Sequence, residues 1–434
     1  MNRKPQLLIG AMGSGSGKTT FTMGILRALQ RQGLQVQPYK CGPDYIDSRF
    51  HALATGRETV NLDTWLASTQ HVRDLYARYA SGADACVVEG VMGLYDGYDR
   101  MRGSSAEIAL LLDIPVLLVV NARSMAYTVA AQLYGLSHFH PGLQFAGVVF
   151  NQVASENHFR FLQQACDDAG LRCFGWIPRD KRLEIPSRHL GLTLSAAKEM
   201  ERQIRMAADR VSAHVDLKAL LEAVQCAAPK QSARHSRPAG NLRIAVARDA
   251  AFNFVYQDNV ERLASLGAVT FFSPLAGDPL PETDFLYLPG GYPELFAAEL
   301  SSKSDTMAQI RGFAESGGRI LAECGGMIYL TQMIVGVEKG PFPMCGVLPC
   351  AASMEGARLH LGYRKIVDEA GRTWKGHEFH YSRLDNPAML PSVALQFNAR
   401  GERVDTALYR YRNVFAGYTH FYWGENDIMQ LWEA

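Results

Sequence analysis

The chain has 434 residues, 47% of them hydrophobic and 20% charged, which is enough to bury a large core without disulfides or a structural metal. Forty-four Lys plus Arg against 43 Asp plus Glu leave a formal net charge of +1, so bulk attraction to nucleic acid or to an anionic membrane is excluded and only local basic patches remain. No apolar run approaches the roughly 20 residues of a membrane-spanning helix, and MNRKPQLLIG is too short in apolar residues for a secretory leader, so a cytoplasmic location is expected.

The first apolar run, QLLIGA, leads into GAMGSGSGKTT (10–20) and then FTMGILRALQRQG, an amphipathic helix stopped at Gly33. A strand, a glycine-rich turn and a helix opening on Gly17-Lys18-Thr19-Thr20 form the context of a phosphate-binding loop. Glycines let backbone N–H groups converge on phosphate oxygens, and the helix N-terminus adds its positive end. ATP contacts are expected from Gly13, Ser14, Gly15, Ser16, Gly17, Lys18, Thr19 and Thr20, with Lys18 on the β- and γ-phosphates and the Thr19 hydroxyl on Mg²⁺. The pattern is not strict, because Met12 stands where a glycine is usual.

In YKCGPDYIDSRFH (39–51), Asp44 and Asp47 suit a loop or helix start that brings two carboxylates near the phosphates, with Lys40, Arg49 and His51 alongside. In ACVVEGVMGLYDGYD (85–99), Glu89 leaves an apolar run at the rim where ligands of α/β sheets bind, and is expected to bind or relay to Mg²⁺. Asp96 and Asp99 follow on that rim, either as functional carboxylates or as turn formers. PVLLVVNA and FAGVVFNQV end in Asn121 and Asn151, and Asn151 either reads adenine or serves a turn. Residues 195–225 have helical periodicity. The stretch 226–241, CAAPKQSARHSRPAGN, carries two prolines and no acidic residue, the composition of an exposed connector.

Beyond it come LRIAVA, AVTFFSP, DFLYLPGG and RILAEC. Apolar runs without period-2 alternation suit parallel strands buried on both faces, which predicts two α/β domains, 1–225 and 242–434, joined by 226–241. GGRILAECGGMIYLTQ (317–332) has the strand–turn–helix context of a nucleophile elbow, and Cys324 at the helix start is expected to have a stabilised thiolate. Gly291 of LYLPGGYPE and Gly325 are candidate oxyanion donors, and His420 of FAGYTHFYWGEND is the candidate base. The other seven cysteines read as packing, since none falls in a CxxC pair. GHEFHYS (376–382) lacks the spacing of a zinc protease.

In order and spacing, SGSGKTT, KCGPDYIDSRFH, VEGVMGLYDG, GSSAEIA (103–109), IPSRHLGL (185–192), LPGGYPE, AECGGMIYL, GHEFHYS and YTHFYW resemble the cobyrinate a,c-diamide synthase family along essentially the whole chain. The resemblance implies a P-loop NTPase-like domain similar to dethiobiotin synthetase, followed by a class I glutamine amidotransferase domain. It implies ATP-dependent amidation of the a and c acetates of cobyrinate in cobalamin biosynthesis, through acyl phosphates and with ammonia from glutamine. Cys324 is then the glutaminase nucleophile, activated by His420. Asp44, Asp47 and Asp96 are catalytic candidates, Thr19, Asp47 and Glu89 metal candidates, and Lys40, Tyr45, Ile46, Arg49 and Arg188 contacts to the anionic macrocycle. Mg²⁺ is the implied cofactor, ATP and glutamine are co-substrates, and the partners are small molecules, with no nucleic acid or membrane and with self-association left open. Hydrogenobyrinate or nickel-sirohydrochlorin is the alternative substrate, and a P-loop switch with an inactive amidotransferase half is the more distant alternative. Tyr422 stands two residues past His420, where the wider class has a glutamate, and Glu425 is a nearby substitute. Ammonia must reach the first domain unprotonated, which implies a shielded path.

Overall fold

The computed structural model describes residues 3–183, 194–229, 240–385 and 390–433; Arg188 and IPSRHLGL lie outside them. The chain forms two compact units that divide in sequence near Arg234. Among the described residues the first unit contains strands β1 (Arg3–Ala11), β2 (Val36–Cys41), β3 (Val60–Leu62), β4 (Ala85–Glu89), β5 (Val116–Asn121), β6 (Phe145–Val153), β7 (Cys173–Pro178) and β8 (Gln225–Ala227). They form one sheet in the order β3-β2-β4-β1-β5-β6-β7. All of those pairings are parallel, and β8 adds antiparallel to β1. The connector expected over 226–241 is therefore shorter at its start. Cys226 and Ala227 are drawn into the sheet by pairing with Lys4 and Arg3, while 230–239 lie outside the described residues.

The central strands are apolar and closed to solvent on both faces: Leu7, Leu8, Ile9, Val87, Val88, Leu117 and Leu118 are fully buried. Helix α1 (Lys18–Arg31) packs against the helix Leu194–His214. Gly24 permits the approach, since a Cβ there would lie 2.9 Å from the Ala207 carbonyl oxygen. The parallel order brings the loops after β1, β2 and β4 to one edge, and α2 (Ile46–Thr55) starts in the loop after β2.

The second unit has β9 (Leu242–Ala247), β10 (Gly267–Phe272), β11 (Phe285–Leu288), β12 (Arg319–Glu323), β13 (Met333–Val335), β14 (Phe342–Pro343), β15 (Ala351–Ser353), β16 (His360–Asp368), β17 (Thr373–His380), β18 (Arg383–Asp385), β19 (Ala394–Phe397), β20 (Arg403–Val404), β21 (Leu408–Tyr411), β22 (Val414–Gly417) and β23 (Thr419–Tyr422). Strands β10-β9-β11-β12-β22 are parallel, with β21 antiparallel at the edge. A second sheet, β20-β19-β16-β17-β23, is wholly antiparallel and brings His377 opposite His420. The sequence reading does not contain this sheet. No helix among the described residues is long and apolar enough to cross a membrane.

Candidate active sites

In the first unit β1 ends at Ala11 and α1 begins at Lys18, so residues 12–17 form the turn between them. Gly15 (φ 74°) and Gly17 (φ 91°) adopt the left-handed conformation that side chains disfavour. A Cβ on Gly17 would lie 2.0 Å from Asn151 Nδ2, which donates to the Ser16 carbonyl at 3.1 Å. Asn151 thus braces the loop from beneath through one N–H of its amide. Ser16 Oγ donates to the Gly13 carbonyl at 2.9 Å, Thr20 Oγ1 reaches the Leu183 carbonyl at 3.5 Å, and Ser14 is exposed. Lys18 folds back over the turn, donating to the carbonyls of Gly13 at 3.2 Å and Met92 at 2.6 Å. Burial lowers its pKa, against the pull of Glu89.

Thr19, His51, Lys40, Asp44 and Asp47 gather around Glu89. Thr19 Oγ1 donates to Glu89 Oε1 at 2.9 Å, and His51 Nε2 lies 2.6 Å from Oε2. Lys40 Nζ lies 3.7 Å from Asp47, 3.8 Å from Glu89 and 3.9 Å from Asp44, and donates to the Gly90 carbonyl. Lys40 is 1% exposed. It is a buried counter-charge to Asp44, Asp47 and Glu89. Burial disfavours its ammonium, yet Glu89, Asp44 and Asp47 together raise its pKa. Burial would raise Glu89, but His51 and Lys40 bring it to about 2. Asp47 is pushed well up by burial, by Asp44 and by Glu89, with which it shares a hydrogen bond. Thr19, Asp47 and Glu89 form an all-oxygen donor set of the kind that suits Mg²⁺.

The remaining predicted residues fall nearby. Asp44 Oδ1 accepts the Asp47 N–H at 2.9 Å, and Asn61 holds the turn by donating to the carbonyls of Gly42 and Asp44. Tyr45 is buried, Arg49 half-buried and Ile46 37% exposed. Asp96 serves its turn, accepting the Gly93 N–H at 2.9 Å, while its charge acts on Lys18.

In the second unit β12 runs directly into Cys324, whose φ of 45° and ψ of −103° precede a helix over Gly325–Leu330. A non-glycine residue held at positive φ between strand and helix is the strained turn of a nucleophile elbow. A Cβ on Gly325 would lie 2.9 Å from the Gly291 nitrogen, so the two expected oxyanion donors stand together. A Cβ on Gly290 would lie 2.0 Å from His420 Cε1, so the imidazole packs directly on that glycine. The Phe379 carbonyl accepts from the Cys324 thiol at 3.7 Å and also hydrogen-bonds His420.

Cys324 does not have the stabilised thiolate expected of it. Burial pushes the thiol well above its ordinary value, Glu294 adds repulsion, and the Gly325 N–H offsets only part of this. The following helix is six residues long and offers little dipole. Burial likewise pushes the His420 imidazole well down, with His377 stacked 5.2 Å away contributing. The resting pair is a neutral thiol beside a neutral imidazole.

Glu425 was the nearby substitute for an orienting glutamate; the carboxyl group found beside His420 is Glu323. Its Oε2 lies 4.0 Å from His420 Nδ1, and it accepts from the Tyr287 hydroxyl at 2.8 Å and the Phe421 N–H at 3.0 Å. Burial pushes Glu323 up to about 8, the two hydrogen bonds opposing. One signal was available, since an acidic residue ending a buried strand needs a partner wherever it occurs.

GHEFHYS lies on β17, beside β23. Glu378 pairs with Arg364 and accepts from Thr406 at 2.8 Å and His380 at 2.7 Å. His380 bonds the Ser382 carbonyl through its other nitrogen and stacks between Tyr418 and His360. His360, Glu378 and His380 could reach one metal ion by distance alone. The acid and His380 are already committed to one another and to their neighbours, so this is an ion-paired brace for the strand that carries Phe379.

A glycine loop with a buried lysine beside a cluster of carboxyl and hydroxyl oxygens, and a strained thiol that shares a carbonyl with a histidine, fit an ATP-using ligase that takes its nitrogen from glutamine. Residues 7–192 match the CobQ/CobB/MinD/ParA nucleotide binding domain and residues 243–428 the CobB/CobQ-like glutamine amidotransferase domain. The chain is 40% identical over 429 residues to the hydrogenobyrinate a,c-diamide synthase of Pseudomonas aeruginosa, covering 98% of this chain and 96% of that one. It is 39% identical over 442 residues to the cobyrinate a,c-diamide synthase of Gloeobacter violaceus, covering 99% and 95%. With the hydrogenobyrinate a,c-diamide synthase of Rhodobacter capsulatus the identity is 44% over 393 residues, covering 87% and 89%. The chain belongs to the cobyrinate and hydrogenobyrinate a,c-diamide synthase family.

Proposed function

We propose that this enzyme converts the a and c acetate carboxylates of cobyrinate to amides, with ATP and glutamine as co-substrates. Hydrogenobyrinate is the second reading, favoured by the relatives at 40% and 44% identity that carry its name. The observation that carries the reading is the strained Cys324, which shares the Phe379 carbonyl with His420, in one chain with the Lys18 phosphate loop.

Cys324 passes its proton to His420 and attacks the side-chain amide of glutamine, and the N–H groups of Gly291 and Gly325 receive the oxyanion. Ammonia leaves, and water resolves the thioester. Burial penalises both ions of the thiolate–imidazolium pair, so a compensating charge brought by the substrate favours the attack. In the first unit Lys18 and the loop N–H groups hold the ATP phosphates. Thr19, Asp47 and Glu89 would hold Mg²⁺, which neutralises phosphate charge when bound. An acetate oxygen of the macrocycle attacks the γ-phosphate and expels ADP. Ammonia then displaces phosphate from the acyl phosphate, and the cycle repeats at the second acetate. Tyr45, Ile46 and Arg49 at the start of α2, with Arg188, are the macrocycle contacts in this reading, while Asp44 and Asp96 shape the reacting edge.

The test is incubation with ATP, glutamine and either macrocycle, with products resolved by mass spectrometry. Two successive amidations are expected, and the larger kcat/KM names the substrate. Glutamine and ATP consumption with neither macrocycle amidated would falsify the assignment.

A further inference from the structure

Glutamine carries an α-ammonium, and a site that selects it offers that group hydrogen-bond acceptors, of which a carboxylate is the strongest. The loop after β11 lies over the nucleophile: Gly290 touches the His420 ring, Gly291 faces Gly325, and a Cβ on Gly325 would lie 2.8 Å from Pro293 Cδ. The next residue is Glu294, in the short 3₁₀ turn Pro293–Phe296. It is half-buried, and no other side chain among the described residues hydrogen-bonds or ion-pairs with its carboxylate. The other acids acting on Cys324 are satisfied, Glu323 by Tyr287 and Phe421 and Glu378 by Arg364, Thr406 and His380. Glu294 is nevertheless the charge that acts most strongly on the thiol.

We propose that Glu294 binds the α-ammonium of glutamine and so seats the amino-acid end of the substrate beside Cys324. This rests on Cys324 being the glutamine-attacking thiol. Two observations agree with it. Burial without a partner pushes Glu294 up to about 7, the state of a carboxylate that lacks its cation. When ionised, Glu294 opposes the thiolate, and an arriving ammonium both favours that ionised form and offsets its charge at the moment the nucleophile is needed. The same group therefore selects glutamine and keeps the thiol quiet without it.

The experiment compares glutamine with glutaramate, which is glutamine without its α-amino group, in the full-length enzyme. The wild type should hydrolyse glutaramate at least about 10-fold less efficiently, as expected for a lost charge-assisted contact. Glu294→Gln should raise the KM for glutamine by about 10- to 100-fold with a smaller change in kcat, and should erase most of the discrimination against glutaramate. It should also speed alkylation of Cys324 by neutral iodoacetamide, which a merely structural role would slow or leave alone. Glu294→Asp, which keeps the charge, should retain the discrimination and covers the case in which the amide variant fails to fold. Undiminished discrimination in Glu294→Gln, or its loss in both variants alike, overturns the proposal. Glutaminase activity surviving in Cys324→Ala would instead overturn the reading on which it rests.

Discussion

Glu323 shows how a single residue is set against the stability of its own fold. Its carboxyl is raised from 4.5 to about 8, so across that window the folded state holds a proton that the unfolded chain has released. Stability is therefore unaffected below about pH 4.5, falls as pH rises towards 8, and is level above it. Glu323→Gln should remove that fall and leave the variant more heat-stable than wild type at pH 8 but not at pH 4, by a few kcal/mol at most. The same variant should lower glutaminase kcat by about 10- to 100-fold, because a carboxyl beside His420 Nδ1 supports the imidazolium formed during attack. Thermal melts at the two pH values and steady-state assays check both. His51 supports Glu89 in the same way in the first unit, and His51→Ala should weaken Mg²⁺ affinity by about 10-fold in a calorimetric titration. Cys324, His420 and Lys18 were legible in the sequence because each sits at a fixed offset from a glycine or from a strand end. Glu323 and Lys40 were not, because their roles come from contacts made only in the folded chain. The thiolate expected at Cys324 failed for a related reason: helix position is visible in sequence, while the burial that outweighs it is not.

At the scale of elements, the parallel strands β1, β4, β5, β6, β9, β11 and β12 were legible because both faces are buried and the runs are continuously apolar. Strand β2, VQPYKC, carries Pro38 and Lys40 yet is buried throughout, since Lys40 is met by Asp47 at the start of α2 and by Glu89 at the end of β4. The antiparallel sheet of the second unit was hidden for the same reason. Strands β16 and β17 look polar, but Arg364 and Glu378 pair across them. The phosphate loop gives the clearest test of an element. Gly17→Ala would place a methyl against Asn151 at a φ of 91°, so ATP-dependent amidation should fall by about 10-fold or more with either nitrogen source. Glutamine hydrolysis by the same variant should persist, and unchanged amidation would contradict the braced loop.

Across the whole molecule, a net charge of +1 argues against a polyanion as a bulk partner, while the charges that matter are grouped locally: Lys40 among Asp44, Asp47 and Glu89 in one unit, Arg364 with Glu378 in the other. Two units with separate cores imply two chemistries that can be broken one at a time. Lys18→Ala should abolish amidation with either nitrogen source, as read by ADP release and product mass. The division of labour is tested most directly by Cys324→Ala, assayed for macrocycle amidation with glutamine and again with added ammonium. Loss of the glutamine-supported reaction with ammonium-supported turnover within about two-fold of wild type is the predicted result, and equal loss with both nitrogen sources would contradict it.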